Sequence, residues 1–204
     1  MPSSWRTVDP DDDGVDGYRW LNSVVLPRPI AWISTVSADG VPNLAPHSFF
    51  TVACAHPPMV AFASVTRKDT LTNVEATGEL VVNLASEPAM AEVNATSARF
   101  APEVDEAAAL GIATSPSHRV APARVADAPV ALECRLHSTQ ELGDTTLVVA
   151  RVLLVVVRED TLGEDGYPLV DRLRPLSRLG RNEWGLTPRV VALDRPRRPE
   201  DIPR

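Results

Sequence analysis

The sequence feature that most constrains the fold is a tight turn at Asp39-Gly40, which lies between two runs rich in apolar residues. The first run is RPIAWISTV (residues 28–36) and the second is VPNLAPHSFFTV (residues 41–52). A two-residue hairpin turn needs positive φ angles at its centre, and glycine adopts these without steric cost. The pattern therefore predicts a β-hairpin in which the second run lies antiparallel to the first.

Two prolines limit where the second run can lie in a sheet. Pro42 and Pro46 have no N–H group to donate to a neighbouring strand, so this run is predicted to be an edge strand or to be broken there. A break at a sheet edge leaves neighbouring backbone amides open to a ligand. The segment NLAPHS (residues 43–48) is therefore interpreted as part of a binding site.

The rest of the chain alternates short apolar runs with a few helical patterns. The apolar runs predict strands over residues 30–36, 59–64, 80–85, 129–142 and 145–160, the last two joined at Gly143-Asp144. The helical patterns predict a short helix ending near Val25, one capped by Asp69 or Thr70 and ended by Gly78, one from about Ser86, and a short helix within the irregular stretch 101–128. Mostly antiparallel strands with few helices between them predict a barrel with helical excursions.

The start of the helix near Asp69 carries a cluster of groups that bind anions. Thr66, Arg67 and Lys68 stand just before the first helical turn. Free amides at a helix N-terminus, a hydroxyl group and two cations form a phosphate site by simple electrostatics. From the residues alone, a solvated basic turn remains the alternative.

Composition argues against several classes of protein. The chain has 204 residues, 44% of them hydrophobic and 23% charged, as expected for one globular domain or for one domain with arms. A net charge of -7 argues against nucleic-acid binding, because phosphate neutralisation needs a basic surface.

No apolar run is long enough for a membrane span and the first residues do not resemble a signal peptide, so a cytoplasmic protein is predicted. Cys54 and Cys134 are far apart without a ligand set and are interpreted as free thiols, and no metal site is predicted.

Several motifs resemble those of one known family. RPIAWIST, NLAPHSFF, PPMVAFAS, RKDTLTN, ELVVNL and RPLSRLGRNEW occur in this order between about Tyr18 and Trp184. They are similar to motifs of the flavin reductase-like family of FMN-binding split barrels, which includes flavoredoxins and the flavin reductase components of two-component monooxygenases.

The resemblance implies a mainly β fold with helical excursions, a six-stranded antiparallel split β-barrel. It also implies a homodimer that holds FMN non-covalently near the subunit interface. The expected organisation is a polar N-terminal arm (1–17), the FMN-binding domain (18–185) and a C-terminal tail (186–204).

The resemblance also implies which residues bind the cofactor. The residues expected to line the flavin ring, largely through backbone groups, are Thr35, Asn43, Ala45, Pro46, His47 and Ser48. Those expected to hold the ribityl chain and phosphate are Ser64, Thr66, Arg67, Lys68, Asp69 and Thr70. Arg178 matches the closing motif and is expected either to tie down the tail or to reach the flavin of the partner subunit. His47 is expected either to tune the ring or to pack beside it.

The implied activity is that of an NAD(P)H:flavin reductase supplying reduced FMN to a monooxygenase or another acceptor, with FAD as an alternative flavin. Flavin N5 carries this chemistry, so no catalytic acid or base is nominated. Many reductases of the family have a histidine after the Gly-Asp of the last hairpin, where this chain has Thr145. This departure puts NAD(P)H use in question. It leaves two alternatives open: a flavoredoxin-like electron carrier with a protein partner, and a flavin-binding module without redox turnover.

Overall fold

The structure is a computed structural model that describes residues 4–202. Its strands in chain order are β1 (Arg28–Pro29), β2 (Ala31–Val36), β3 (Pro42–His47), β4 (Phe50–Cys54), β5 (Met59–Val65), β6 (Glu79–Leu84), β7 (Thr114–Ser115), β8 (Arg124–Val125), β9 (Val130–Leu142), β10 (Thr145–Val157), β11 (Ser177–Arg178) and β12 (Trp184–Gly185). Its α-helices are α1 (Gly17–Val24), α2 (Asp69–Thr77), α3 (Met90–Ala95), α4 (Glu106–Ala109) and α5 (Val170–Leu173), with 3₁₀ turns at Glu87–Ala89, Glu159–Thr161 and Pro199–Asp201.

The main sheet has seven antiparallel strands in the order β3-β2-β6-β9-β10-β5-β4. The mainly β split-barrel prediction is confirmed, but the predicted strand number of six is wrong. The second run of the hairpin splits at Ser48-Phe49 into β3 and β4, which lie at opposite edges of the sheet. Phe49 O accepts a 2.8 Å hydrogen bond from the Ala63 amide of β5. The chain therefore crosses from one sheet edge to the other at this corner, where the barrel closes.

The predicted hairpin forms, and Pro42 and Pro46 lie on an edge strand as predicted. The Ser37 amide donates to Val41 O at 2.8 Å, so residues 38–40 form a three-residue loop rather than a two-residue turn. Gly40 has a φ of +86°, as expected for a hairpin loop that ends in a left-handed residue.

Two apolar clusters lie on opposite faces of β2. Ala31 and Ile33 point into the barrel, where they pack with Phe62. Ile30 and Trp32 point outward into a second cluster beneath α3 and α4. Because side chains alternate along a strand, successive residues of this segment enter different clusters, and both faces are buried.

Helix α2 closes one end of the barrel. Leu71 and Val74 are buried in the barrel core, and Gly78 ends the helix in the left-handed conformation, donating its N–H group to Val74 O at 2.9 Å. The predicted end is confirmed, but the predicted cap is wrong. The N-cap is Lys68, and no side chain caps the helix.

Residues 101–128 form a short helix and a small two-stranded sheet, which cover the outer face of the main sheet. Helix α4 and the pair β7–β8 lie within this stretch. The irregular excursion expected from the sequence therefore has an ordered place in the fold. Among the helices of residues 4–202, none is both long and apolar enough to cross a membrane.

Candidate functional site

The segment NLAPHS lies on β3, which pairs with β2 on one side and forms the sheet edge on the other. Asn43 and His47 are buried, while Ala45, Pro46 and Ser48 are half-buried. An edge strand leaves half of its backbone hydrogen-bonding groups without a strand partner. On this open edge Pro42 and Pro46 have no N–H group and the Leu44 amide is bonded to Glu106, so β3 offers carbonyl groups to a flat ligand beside the sheet.

A network of buried polar side chains fixes β3 to its neighbours. Asn43 Oδ1 accepts hydrogen bonds from Thr35 Oγ1 at 3.3 Å and from Thr70 Oγ1 at 3.0 Å. Asn73 Nδ2 on α2 donates to Thr35 Oγ1 at 3.1 Å. The side chains of Thr35, Asn43 and Thr70 are therefore engaged with one another. Buried polar groups that are mutually satisfied hold one local geometry, so this network sets the position of β3 relative to α2.

Glu106 completes this network from a distant part of the chain. Its carboxylate accepts a 2.7 Å hydrogen bond from Asn43 Nδ2 and a 2.9 Å hydrogen bond from the Leu44 amide. The side chain is buried on helix α4. Neither Glu106 nor Asn73 was among the predicted site residues. Glu106 lies 63 residues from Asn43 in a stretch of weak pattern, whereas Asn73 is the last residue of the motif RKDTLTN.

The turn before α2 has an unusual backbone. Thr66 has a φ of +61°, a left-handed conformation that is uncommon for a threonine. Its amide donates to Asp144 O in the β9–β10 turn at 2.9 Å, and its carbonyl accepts from Ser64 Oγ at 3.1 Å. These contacts place the next residues at the N-terminus of α2.

The two cations of this turn differ in their surroundings. Arg67 forms a 2.7 Å ion pair with Glu75, which lies near the far end of α2, whereas Lys68 is exposed at the N-cap. The first amides of a helix have no partner within the helix, and no side chain caps them here. Asp69 and Thr70 supply two of these amides. The turn therefore presents positive charge and N–H groups to the same space.

His47 is buried beside this turn. Its ring packs on Phe62 with 4.9 Å between the ring centroids, and its Nε2 atom is buried without a hydrogen-bond partner. Burial first, and the positive charge of Lys68 second, lower the pKa of His47 from 6.5 to about 4, against a smaller opposing effect of the Ala63 backbone. The imidazole is therefore neutral at pH 7.

The structure brings together the two segments that the sequence singled out. Thr70 on α2 bonds to Asn43 on β3, and Lys68 is close enough to His47 to shift its pKa. Residues 43–48 and 64–70 therefore lie together where the open edge of β3 meets the N-terminus of α2.

Arg178 is not part of this turn, but it lines the same cavity as Ser48. It is on β11, directly opposite Arg28 on β1, and its guanidinium lies 4.8 Å from the ring centroid of Trp184. A cavity of about 510 Å³ separates α1 from these strands. The residues that line it are Asp16, Tyr18, Arg19, Asn22, Arg28, Ser48, Arg178, Leu179, Arg181 and Asn182. The sequence analysis did not identify Arg28.

The fold is a mainly β split barrel in which an open-edge strand lies beside a cationic helix N-terminus. Residues 23–178 match the family model described as the flavin reductase like domain. This match covers more than half of the chain, so the chain belongs to the flavin reductase-like family.

Individual proteins resemble the chain over nearly its whole length. An uncharacterized protein of Aquifex aeolicus (strain VF5) is 35% identical over 175 residues, which are 83% of this chain and 89% of that protein. Nitrilotriacetate monooxygenase component B from Bacillus cereus has a TM-score of 0.88 and 27% identity, covering 94% of this chain and 100% of the other. The 2-nitrobenzoate 2-nitroreductase NbaA of Pseudomonas fluorescens has a TM-score of 0.86 and 28% identity, covering 95% of this chain and 97% of the other.

Proposed function

We propose that this chain binds FMN and acts as an NAD(P)H:flavin reductase that supplies reduced flavin to a monooxygenase or another acceptor. The single observation that carries the proposal is the convergence of the β3 edge with the N-terminus of α2. The β3 edge suits a flat ring, and the N-terminus of α2 suits a phosphate group. The Thr70–Asn43 hydrogen bond holds the two segments together.

The residues present fit a flavin mononucleotide. The uncapped first turn of α2, together with Lys68 and Arg67, suits a dianionic phosphate. The half-buried backbone of residues 45–48 offers carbonyl groups to the N–H edge of a ring system. Ser64 and Thr66 directly precede the first turn of α2 and are assigned to the ribityl chain and phosphate.

The chain's own residues bind and orient the cofactor, and a bound flavin supplies the hydride chemistry at N5. The buried network around Asn43 holds β3 in place. His47 presents a neutral ring, so it adds no positive charge beneath the site at pH 7. Of the two roles predicted for His47, its contact with Phe62 favours packing.

The missing histidine supports a second candidate function, that of an electron carrier with tightly bound FMN and a protein partner. Thr145 begins β10, and its hydroxyl donates to Asp144 Oδ1 at 2.9 Å. This short side chain is engaged with its neighbour and supplies no imidazole for a nicotinamide. A third possibility, a flavin-binding module without redox turnover, needs only the same pocket. The experiment described next distinguishes it from the other two functions.

The visible spectrum of the full chain tests these functions together. Protein loaded with FMN, or with FAD in a parallel sample, is titrated anaerobically with NADH and then with NADPH. Rapid bleaching of the flavin absorbance supports the reductase. Tight FMN retention with slow bleaching, followed by electron transfer from photoreduced protein to a protein acceptor, supports the carrier. Failure to retain either flavin overturns both functions.

The apolar surface of α1 supports a homodimer. Tyr18, Leu21 and Val24 follow a helical spacing and are each more than half exposed, as expected for a helix face that packs against another molecule. A second copy of the chain is the proposed partner. Light scattering at increasing protein concentration tests this, and a monomer for wild type would contradict it. Val24→Glu is expected to shift a wild-type dimer towards monomer, because it buries a charge in the interface.

A further inference from the structure

The cavity between α1 and β11 carries an excess of positive charge. Four arginines line it, at positions 19, 28, 178 and 181. The only acid in its lining is Asp16, whose Oδ1 atom accepts the Arg19 amide at the start of α1. The cavity, of about 510 Å³, is within the size range of small-molecule sites, which is roughly 300 to 1,000 Å³.

Arg28 is the most unusual of these arginines because it is buried. Its side chain donates to the carbonyl groups of Asn22 at 2.7 Å, Val25 at 3.0 Å and Leu179 at 3.0 Å. It is only 8% exposed, and its Nε atom is buried without an acceptor. Carbonyl groups satisfy its hydrogen bonds but do not neutralise its charge, and a buried charge without a counter-ion is costly.

Arg178 adds a second positive charge at the same place. It is the cross-strand partner of Arg28, and like charges in such positions repel. Burial, followed by the charge of Arg178, lowers the pKa of Arg28. Arg178 stacks on Trp184 and donates to Arg181 O at 3.0 Å. Among residues 4–202, no carboxylate forms an ion pair with Arg28 or Arg178.

We propose that this cavity binds the anionic group, a phosphate or a carboxylate, of the second reactant that meets the flavin. The inference rests on the proposed function, because Ser48 lines the cavity and directly follows His47 in the flavin segment. A molecule anchored at Arg178 extends past Ser48 towards the ring. The anion neutralises two guanidinium groups that have no carboxylate counter-ion among residues 4–202.

The anionic group has two possible sources that share this chemistry. One is a phosphate of the nicotinamide dinucleotide donor, and the other is the carboxylate of an organic acceptor. Isothermal titration at low ionic strength compares them with two probes, adenosine 2′-monophosphate and benzoate. Both are titrated into the full chain with and without FMN.

Arg178→Gln is the diagnostic variant. At least one probe is expected to bind wild type, and the variant is expected to weaken that binding tenfold or more, since a charged bidentate donor is lost. Arg178→Lys is expected to retain part of the affinity. Arg99→Gln, on the exposed surface away from the cavity, is the matched control and is expected to bind as wild type does.

Circular dichroism shows whether Arg178→Gln is folded. If it is unfolded, a variant at the exposed rim of the cavity tests the proposal in its place. Arg19→Gln changes an exposed side chain of the cavity lining and is expected to weaken binding about two- to fivefold, in keeping with a single screened charge. The assignment is overturned if neither probe binds wild type. It is also overturned if a folded Arg178→Gln variant binds as wild type does, or if only the rim variant is folded and it binds unchanged.

The calorimetry also separates this inference from the proposed function. If the chain fails to bind FMN but binds a probe through Arg178, the proposed function is wrong and the anion site stands. If the chain binds FMN and no probe, only the anion site is wrong. Binding of one probe and not the other identifies the source of the anionic group.

Discussion

Asn43 and Glu106, 63 residues apart in the chain, are joined by a buried 2.7 Å hydrogen bond from the amide to the carboxylate. The same carboxylate accepts the Leu44 amide. A helix outside the main sheet thus holds the strand that carries the flavin segment. The proposed ring site therefore depends on a residue that is expected to make no contact with the ring.

Glu106→Gln is expected to lower the free energy of unfolding by about 2 to 4 kcal/mol, because an NH₂ group replaces one carboxylate oxygen and leaves one buried N–H group facing a donor. Urea unfolding of the flavin-free protein measures the change. Glu103→Gln, at an exposed site just before the helix, is the control and is expected to stay within about 0.5 kcal/mol of wild type. Equal stability of Glu106→Gln and wild type would show that the carboxylate does not hold the strand.

Local signals in the sequence predicted much of the fold. The Asp39-Gly40 turn located the hairpin, the prolines placed β3 at an edge, and Gly78 located the end of α2. Each of these signals acts within a few residues, because it depends on the φ angle or N–H group of one position. The family motifs added the barrel architecture.

The contacts that complete the site were not predictable in the same way. Glu106 lies in an Ala-rich stretch, and nothing in its neighbourhood indicates that the chain folds back onto Asn43. Arg28 stands between two prolines in an extended segment, and its burial depends on α1 and on the carbonyl of Leu179. Such burial is a property of tertiary packing, which a single sequence does not show. The number of strands in the main sheet depends on tertiary packing in the same way, because β4 separates from β3 and pairs with β5 at the other edge.

The phosphate assignment predicts a loss of FMN affinity when its cations are removed. The double variant Arg67→Ala/Lys68→Ala is expected to weaken FMN binding by about 2 to 5 kcal/mol if both side chains make charge-assisted contacts. Quenching of flavin fluorescence on binding measures the dissociation constant. Arg99→Ala removes a positive charge elsewhere on the surface and is expected to bind FMN as wild type does. Unchanged affinity in the double variant would remove the phosphate from this turn.

The ion pair between Arg67 and Glu75 predicts the opposite effect for a change at Glu75. Glu75→Gln frees Arg67 from its 2.7 Å partner and removes the negative charge that offsets this guanidinium. FMN binding is expected to tighten about two- to fivefold at low salt, in line with a partly exposed ion pair, and less at high salt. Glu103→Gln controls for the change in net charge. Weaker binding would instead mean that Glu75 orients Arg67 towards the phosphate.

The buried imidazole of His47 predicts a pH dependence of stability. Its pKa is about 4 in the folded chain against a reference value of 6.5, so the unfolded chain binds the proton more readily. The stabilisation is complete above about pH 6.5 and is lost as the pH falls towards 4. The difference between these pKa values corresponds to a loss of about 3 kcal/mol.

His47→Phe isolates this effect because it keeps a ring against Phe62 and removes the titrating group. Urea unfolding at several pH values is expected to show the variant losing less stability than wild type between about pH 6.5 and 4, by up to about 3 kcal/mol. His137→Gln, which removes an exposed imidazole, is expected to follow wild type. If His47→Phe and wild type lose stability in parallel, His47 takes up its proton in the folded protein as easily as in the unfolded chain. Its ring would then not be held neutral by burial and by Lys68.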